Sequence, residues 1–318
     1  MKIKNLYMII IFSIMYTALF TYFTAEAQSN NNFSYKKNYT IGYMKNLFNQ
    51  VDLNDAEAAL KIWVNELVKS FHYNDGYNLK SKIYNGFDEL SIQMRGDSLA
   101  LVVLSSIDYL NYNEKIGLDP VLALSAQGDI FEKYCILVRK NESYKNIKDL
   151  KGADIGLLSG TNHPASKLWL DIILAKIEVP DKEKFFKKIS TSDRESQLIL
   201  NLFFGHSDAC IVSTGAFSLM KELNPQVGEE IVSIQTSPEF LLGLLCYIKN
   251  SVSEKEKNLF YSCAIHINEL NTGKQLLSLL KMDNLVPFKK DYLNSSQDLM
   301  KEYTYLLKTK QITGNEKI

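Results

Sequence analysis

Four turns in this chain are dense in hydroxyl and amide groups, and each sits where an apolar run gives way to a helical pattern. Gly156 to Ala165 reads GLLSGTNHPA, Ser105-Ser106 precedes Ile107-Asp108-Tyr109-Leu110, Ser190-Thr191-Ser192 precedes Arg194, and Ser213-Thr214-Gly215 precedes Ala216. Helix N-termini leave backbone N–H groups without intrahelical acceptors and carry partial positive charge. A small polar turn at the C-terminal end of a parallel strand is therefore a seat for an anion. In the first of these turns Gly160 allows close backbone approach, and Thr161 and Asn162 can bond an oxygen. His163 adds charge when protonated, and Pro164 suits the first helical position. Taken alone, that turn fits ordinary capping by Thr161 or Asn162 equally well. Four such turns together point to ligand binding.

Other chemistries find less support. Ser192 and Glu195 match S-x-x-E, which predicts a capping box rather than a catalytic acid. Tyr43 and Met44, ending the first apolar strand, suit either a ligand contact or core packing. His72, His163, His206 and His266 are scattered, and Asp108 and Asp208 are isolated carboxylates, Asp208 reading as structural at the start of a strand. The G-x-S-x-G elbow, H-E-x-x-H, the P-loop and the dinucleotide fingerprint are all absent. The expectation is a protein without catalytic residues, metal ligands or cofactor. Cys135, Cys210, Cys246 and Cys263 form no CxxC and have no His at ligand spacing, which argues against zinc. Three of them lie in apolar strand-like runs and read as buried free thiols, although an exported protein could also form disulfides.

The elements that must carry these turns follow from hydrophobic periodicity. Residues 1–27 combine Lys2 and Lys4, an apolar run from Leu6 to Phe23 and Ala25-Glu26-Ala27, the pattern of a cleaved signal peptide, with a retained anchor as the alternative. Thr40 to Met44 is a strand, Asp55 to Phe71 a helix with an Asn54/Glu57 capping box, Leu79 to Tyr84 a strand, Phe87 to Arg95 a helix, and Ser98 to Ser106 a buried strand. After two extended runs between Pro120 and Lys140 the alternation restarts. Its strands are Asp154 to Leu158, Phe185 to Ile189, Ala209 to Val212 and Glu230 to Ile234. Its helices are Ala165 to Ile177, Arg194 to Phe204 and Gly215 to Leu223. Leu241 to Lys249 returns the chain to the first unit, and amphipathic helices complete it.

This pattern predicts an α/β clamshell of two lobes, each a mixed, mostly parallel sheet flanked by helices. Residues 36–126 and 246–310 form the first lobe and 127–245 the second, with hinge crossings near 125–132 and 241–245. GDSLALVVLS from Gly96 and GHSDACIVST from Gly205 echo one another, so each lobe would repeat one strand–hydroxyl–helix unit facing the same cleft. Charge is even, with 36 Lys+Arg against 36 Asp+Glu, so nothing favours nucleic acid, and 46% hydrophobic residues suffice for a large core.

IKDLKGADIGLLSGT, the stretch from Ser196 to Pro225 and SIQTSPEF together resemble the phosphate/phosphite/phosphonate group of periplasmic solute-binding proteins of ABC transporters, with the type 2 two-lobed fold. The resemblance covers roughly residues 38–285 and implies capture of a small oxyanion for delivery to a membrane permease. In that family a Ser/Thr run at the start of a second-lobe helix holds the anion. The matching positions are Gly160, Thr161 and Asn162, with His163 where a glycine is usual. The first lobe has Val103 and then Ser105-Ser106 where an aromatic residue is common. The expected ligand-binding set is Tyr43, Ser105, Ser106, Thr161, Asn162, His163, Ser192 and Thr214, in a monomeric periplasmic or secreted protein. Presentation to a sensor kinase and an enzyme on the same fold are the competing readings.

Overall fold

The computed structural model describes residues 37–48, 51–70, 76–94, 98–159 and 163–312. The expected signal segment, and Gly160, Thr161 and Asn162, lie outside them.

In chain order the first lobe contributes β1 (Lys37–Met44), α1 (Leu53–Ser70), β2 (Tyr77–Tyr84), α2 (Phe87–Met94), β3 (Leu99–Ser105), α3 (Ser106–Ile116) and β4 (Leu118–Ser125). The short β5 (Phe131–Glu132) leads into the second lobe, with β6 (Tyr134–Arg139), β7 (Asp154–Leu158), α4 (Pro164–Ala175), α5 (Lys182–Phe185) and β8 (Lys188–Ser192). It continues through α6 (Glu195–Phe203), β9 (Ala209–Ser213), α7 (Thr214–Leu223), α8 (Pro225–Glu230) and β10 (Ile231–Thr236). The chain returns through β11 (Phe240–Leu241) and β12 (Gly243–Ile248), then α9 (Glu254–Ile265), α10 (Asn271–Leu279), β13 (Asn284–Pro287) and α11 (Asn294–Lys308).

Two sheets result, ordered β13-β4-β12-β3-β1-β2 and β10-β6-β9-β7-β8, with β5 and β11 paired as a ribbon between them. Each sheet is mixed. β2, β1 and β3 run parallel, as do β8, β7 and β9, while β12, β4 and β13 in one sheet and β6 and β10 in the other pair antiparallel. The continuous apolar run of β3 is buried along its whole length, as a strand covered on both faces must be. Tyr39, Leu60, Trp63, Phe260 and Leu277 fill one face of the first sheet, and Tyr84, Leu90, Val102 and Leu118 the other. The second sheet is likewise packed on one side by Trp169 and Ile173 of α4 and on the other by Leu198 and Leu202 of α6.

Two glycines mark constraints a side chain would violate. Gly117 ends α3 in the left-handed region at φ 63° and donates to Asn113 O. Gly243 pairs with Ser105, and a Cβ there would come within 2.7 Å of Leu104 O and Leu124 Cδ1. The close approach of β12 to β3 at the strand end needs glycine.

Several expected details change. Asp52, not Asn54, caps α1, its Oδ1 accepting from the Asn54 and Asp55 amides. The strand expected from Phe185 begins at Lys188, because the Asp181 side chain accepts from Glu183 N and winds residues 182–185 into a helical turn. α11, expected with the first lobe, packs instead on the second, where Leu299, Tyr303 and Leu306 join the core around Trp169. Its amphipathic stripe needs an apolar surface, and α4 supplies one. Cys135, Cys210, Cys246 and Cys263 are buried free thiols, and burial pushes Cys135 up to about 12. Among the described residues no helix is long and apolar enough to cross a membrane.

Candidate functional site

A cavity of about 730 Å³ opens between the lobes. Among the described residues four helix starts reach it, each at the C-terminal end of a strand or the loop beyond it, as the alternation of strands and helices dictates; Glu195 and Ser196 of α6, after β8, are one of them. β3 ends at Ser105 and feeds α3, β9 ends at Ser213 and feeds α7, and β7 leads towards His163 and α4.

The first two starts are built alike. Ser105 (φ −66°, ψ 158°) accepts from Asp108 N, and Ser213 (φ −69°, ψ 149°) accepts from Ala216 N, each at 3.1 Å. The internal echo is thus real in structure, but its register is one residue off. Overlaying the glycines pairs Ser105 with Thr214, whereas the capping geometry pairs Ser105 with Ser213. Both starts are also met by carboxylates. Asp108 Oδ2 accepts from Ser105 Oγ at 2.8 Å and from Asn46 Nδ2 at 2.7 Å, and burial raises its pKa despite those bonds. Glu195 Oε1 accepts from Ser213 N at 2.6 Å.

The start of α4 differs. His163 is its N-cap but makes no side-chain cap, Pro164 holds an early position, and the first turn carries no acid. The imidazole lies largely buried between lobes: Tyr134 Oη is 3.2 Å from its Nδ1, and Glu132 Oε2 is 3.8 Å away. Tyr134 also donates to Glu132. Burial alone would lower the His163 pKa, but the hydrogen bond and charge of Glu132, with Glu195 adding, outweigh it and raise the value above 6.5. The cavity as a whole is charge-balanced, with Asp129, Glu132 and Glu195 facing Lys133, Lys281 and His163. An anion would therefore be held by local groups rather than by an overall positive field.

Of the residues expected at the site, Ser105, Ser106, His163 and Thr214 line the cavity. Ser106 is buried with its Oγ 3.3 Å from Ser296 Oγ, so its hydroxyl ties α3 to α11. Thr214 donates its amide to Lys133 O. Tyr43 lies in the first lobe's core, hydrogen-bonded to Trp63, because β1 turns that face toward α1. Ser192 is off the cavity wall, accepting from Arg194 N at 3.1 Å and bonding Gln197 at 3.0 Å.

The capping box expected between Ser192 and Glu195 does not form. β8 runs through Ser192, and α6 has Arg194 as its N-cap, so the serine sits too early for the i, i+3 reach. Glu195 is thereby free to cross to Ser213. Asn46, Glu132, Glu195 and Ser213 are cavity residues that sequence reasoning left out of the site. For Ser213 the signal was present in the echo; for the others only tertiary proximity reveals the role. Asp208, read as structural, accepts from Asp154 N at 2.8 Å and lies 3.9 Å from Arg139.

Solved structures share this architecture. A binding-protein component of an ABC phosphonate transporter from Pseudomonas aeruginosa aligns with TM-score 0.60 and 14% identity, over 89% of this chain and 90% of that one. PhnD1 from Prochlorococcus marinus, in complex with methylphosphonate, aligns with TM-score 0.59 and 15% identity over 84% and 98%. XAC2383 from Xanthomonas citri, bound to ATP, aligns with TM-score 0.64 and 8% identity over 86% and 99%. At these identities the likeness is one of fold, the two-lobed α/β architecture of periplasmic binding proteins. No curated protein matches the sequence. Residues 48–293 match the family described as ABC transporter, phosphonate, periplasmic substrate-binding protein. With most of its length inside that match, the chain belongs to the phosphonate-type periplasmic substrate-binding proteins of ABC transporters.

Proposed function

We propose that the cleft captures a small oxyanion of the phosphate, phosphite or phosphonate class for uptake through an ABC permease, binding it without chemical change. The observation that carries this reading is the start of α4. It is a helix N-terminus whose N-cap residue makes no side-chain cap and whose first turn has no acid, and a largely buried His163 with a raised pKa stands there in an interlobe cavity. Thr161 and Asn162, immediately before His163 in sequence, would add donors. Ser105, Ser106 and Thr214 frame the facing and lateral walls. The ligand named for the Prochlorococcus marinus neighbour, methylphosphonate, is of the same chemical class.

Closure is proposed to occur at the crossings near 125–132 and 241–245, where Phe131 and Glu132 pair with Leu241 and Phe240. Glu132 then belongs both to the connecting ribbon and to the His163 pair, which would link occupancy to closure. Export is proposed to use residues 1–27 as a signal peptide cleaved after Ala27. The test is calorimetric titration with methylphosphonate, phosphite, phosphate and sulfate. Saturable binding of at least one is expected, and neither heat nor thermal shift with any of them would remove the oxyanion reading.

A further inference from the structure

α7 carries Ala216, Leu219, Met220 and Leu223 at i, i+3, i+4 and i+7, the spacing of a helix stripe that normally packs into a core. Here all four reach the cavity; Ala216 and Met220 also pack against the core around Leu198 and Val212, whereas Leu219 and Leu223 are left without core packing. Leu219 is 47% exposed and Leu223 72% exposed. Leu242 of the crossing and Leu280 and Met282 of the first lobe line the same cavity, partly buried against the first lobe's core. The polar groups around His163 and Ser213 therefore share one continuous space with apolar side chains from both lobes. The interlobe space of about 730 Å³ leaves room beside the polar groups for an organic substituent. Apolar surface rimmed by polar groups and left open to water marks a place where something apolar docks.

We infer that the ligand is an amphiphilic organic oxyanion whose charged head sits at the start of α4 and whose apolar substituent, several carbons long, lies along the Leu219–Met220–Leu223 stripe. This deepens the oxyanion reading and rests on it. The apolar walls make the substituent the source of affinity, since each methylene removed from water adds to binding, while the head fixes orientation. A bare anion would leave the stripe wet.

The experiment is a calorimetric series of methyl-, butyl- and hexylphosphonate on the wild-type protein, Leu219→Ser and Leu223→Ser. Both substituted positions are exposed enough for serine to leave folding intact, which thermal unfolding checks. Expected is hexylphosphonate at least about tenfold tighter than methylphosphonate, the advantage of burying several methylenes. Each serine variant should erase most of that gain and leave methylphosphonate within about twofold of wild type. Equal affinity along the series would overturn the inference while leaving the oxyanion reading standing. A loss in the serine variants equal for methyl- and hexylphosphonate would also overturn it, showing that the leucines latch the lobes together instead of seating a substituent. Failure of every phosphonate to bind would remove the oxyanion reading and this inference together.

Discussion

The start of α3 in the first lobe and the start of α4 in the second face one cavity, yet their electrostatics are opposite. At α3 the protein has supplied its own anion. Ser105 caps the helix, and Asp108 occupies the third position of the first turn, bonded to Ser105 and Asn46. At α4 the His163 side chain bonds Tyr134 and Glu132 instead of capping the helix amides, the first turn has no acid, and Glu132 favours the charged imidazole. Helix termini of the same type thus differ in whether a carboxylate of the chain already fills them, and on the proposed reading only the unfilled one seats the ligand.

The largest expected effect comes from breaking the open side. His163→Ala should weaken oxyanion binding by roughly ten- to a hundredfold, the worth of one charged hydrogen bond at about 1.5–3 kcal/mol, measured by calorimetry. The pH dependence sharpens the same point. A histidine whose folded pKa is raised by Glu132 stabilises the fold fully below the ordinary value of 6.5, and that contribution is lost as pH rises through the raised value. Anion affinity should fall over the same rise, and the fall should vanish in His163→Ala. A pH-independent affinity in the wild type would show that the imidazole takes no part.

A smaller effect is expected from opening the closed side. Asp108→Asn keeps one acceptor oxygen, enough for the Ser105 and Asn46 bonds that Oδ2 now accepts, but removes the negative charge, so anion affinity should rise about two- to fivefold. No gain would mean that the charge of Asp108 is not what closes the α3 start. The smallest effect is structural. Ser105→Ala and Ser213→Ala should each lower unfolding free energy by about 1 kcal/mol in urea melts, the usual worth of a cap. Unequal losses would show that the two repeats are not equivalent joints.

Much of the fold was legible in the sequence because it rests on local periodicity. β7 matches its expected residues, and α1, α4, α6 and α7 match within one or two positions, since an apolar stripe or a buried run specifies its own element. Errors fell where a neighbour decides. Phe185 reads as strand until Asp181 caps a helical turn ahead of it, and α11 reads as a first-lobe helix until its apolar face finds α4. The site was half legible. Ser105, His163 and Thr214 carried their signal in turns before helices, whereas Tyr43 turned into the core and Ser192 off the wall.

The sequence by itself determined the α/β alternation that builds two sheets, because apolar period, glycine placement and turn chemistry are written residue by residue. Only the tertiary structure decided which helix starts are met by a carboxylate of the chain. That choice depends on Asn46 reaching Asp108 across 62 positions and on Glu195 reaching Ser213 across 18. The capping strength of a carboxylate depends on distance in space, which separation along the chain does not encode.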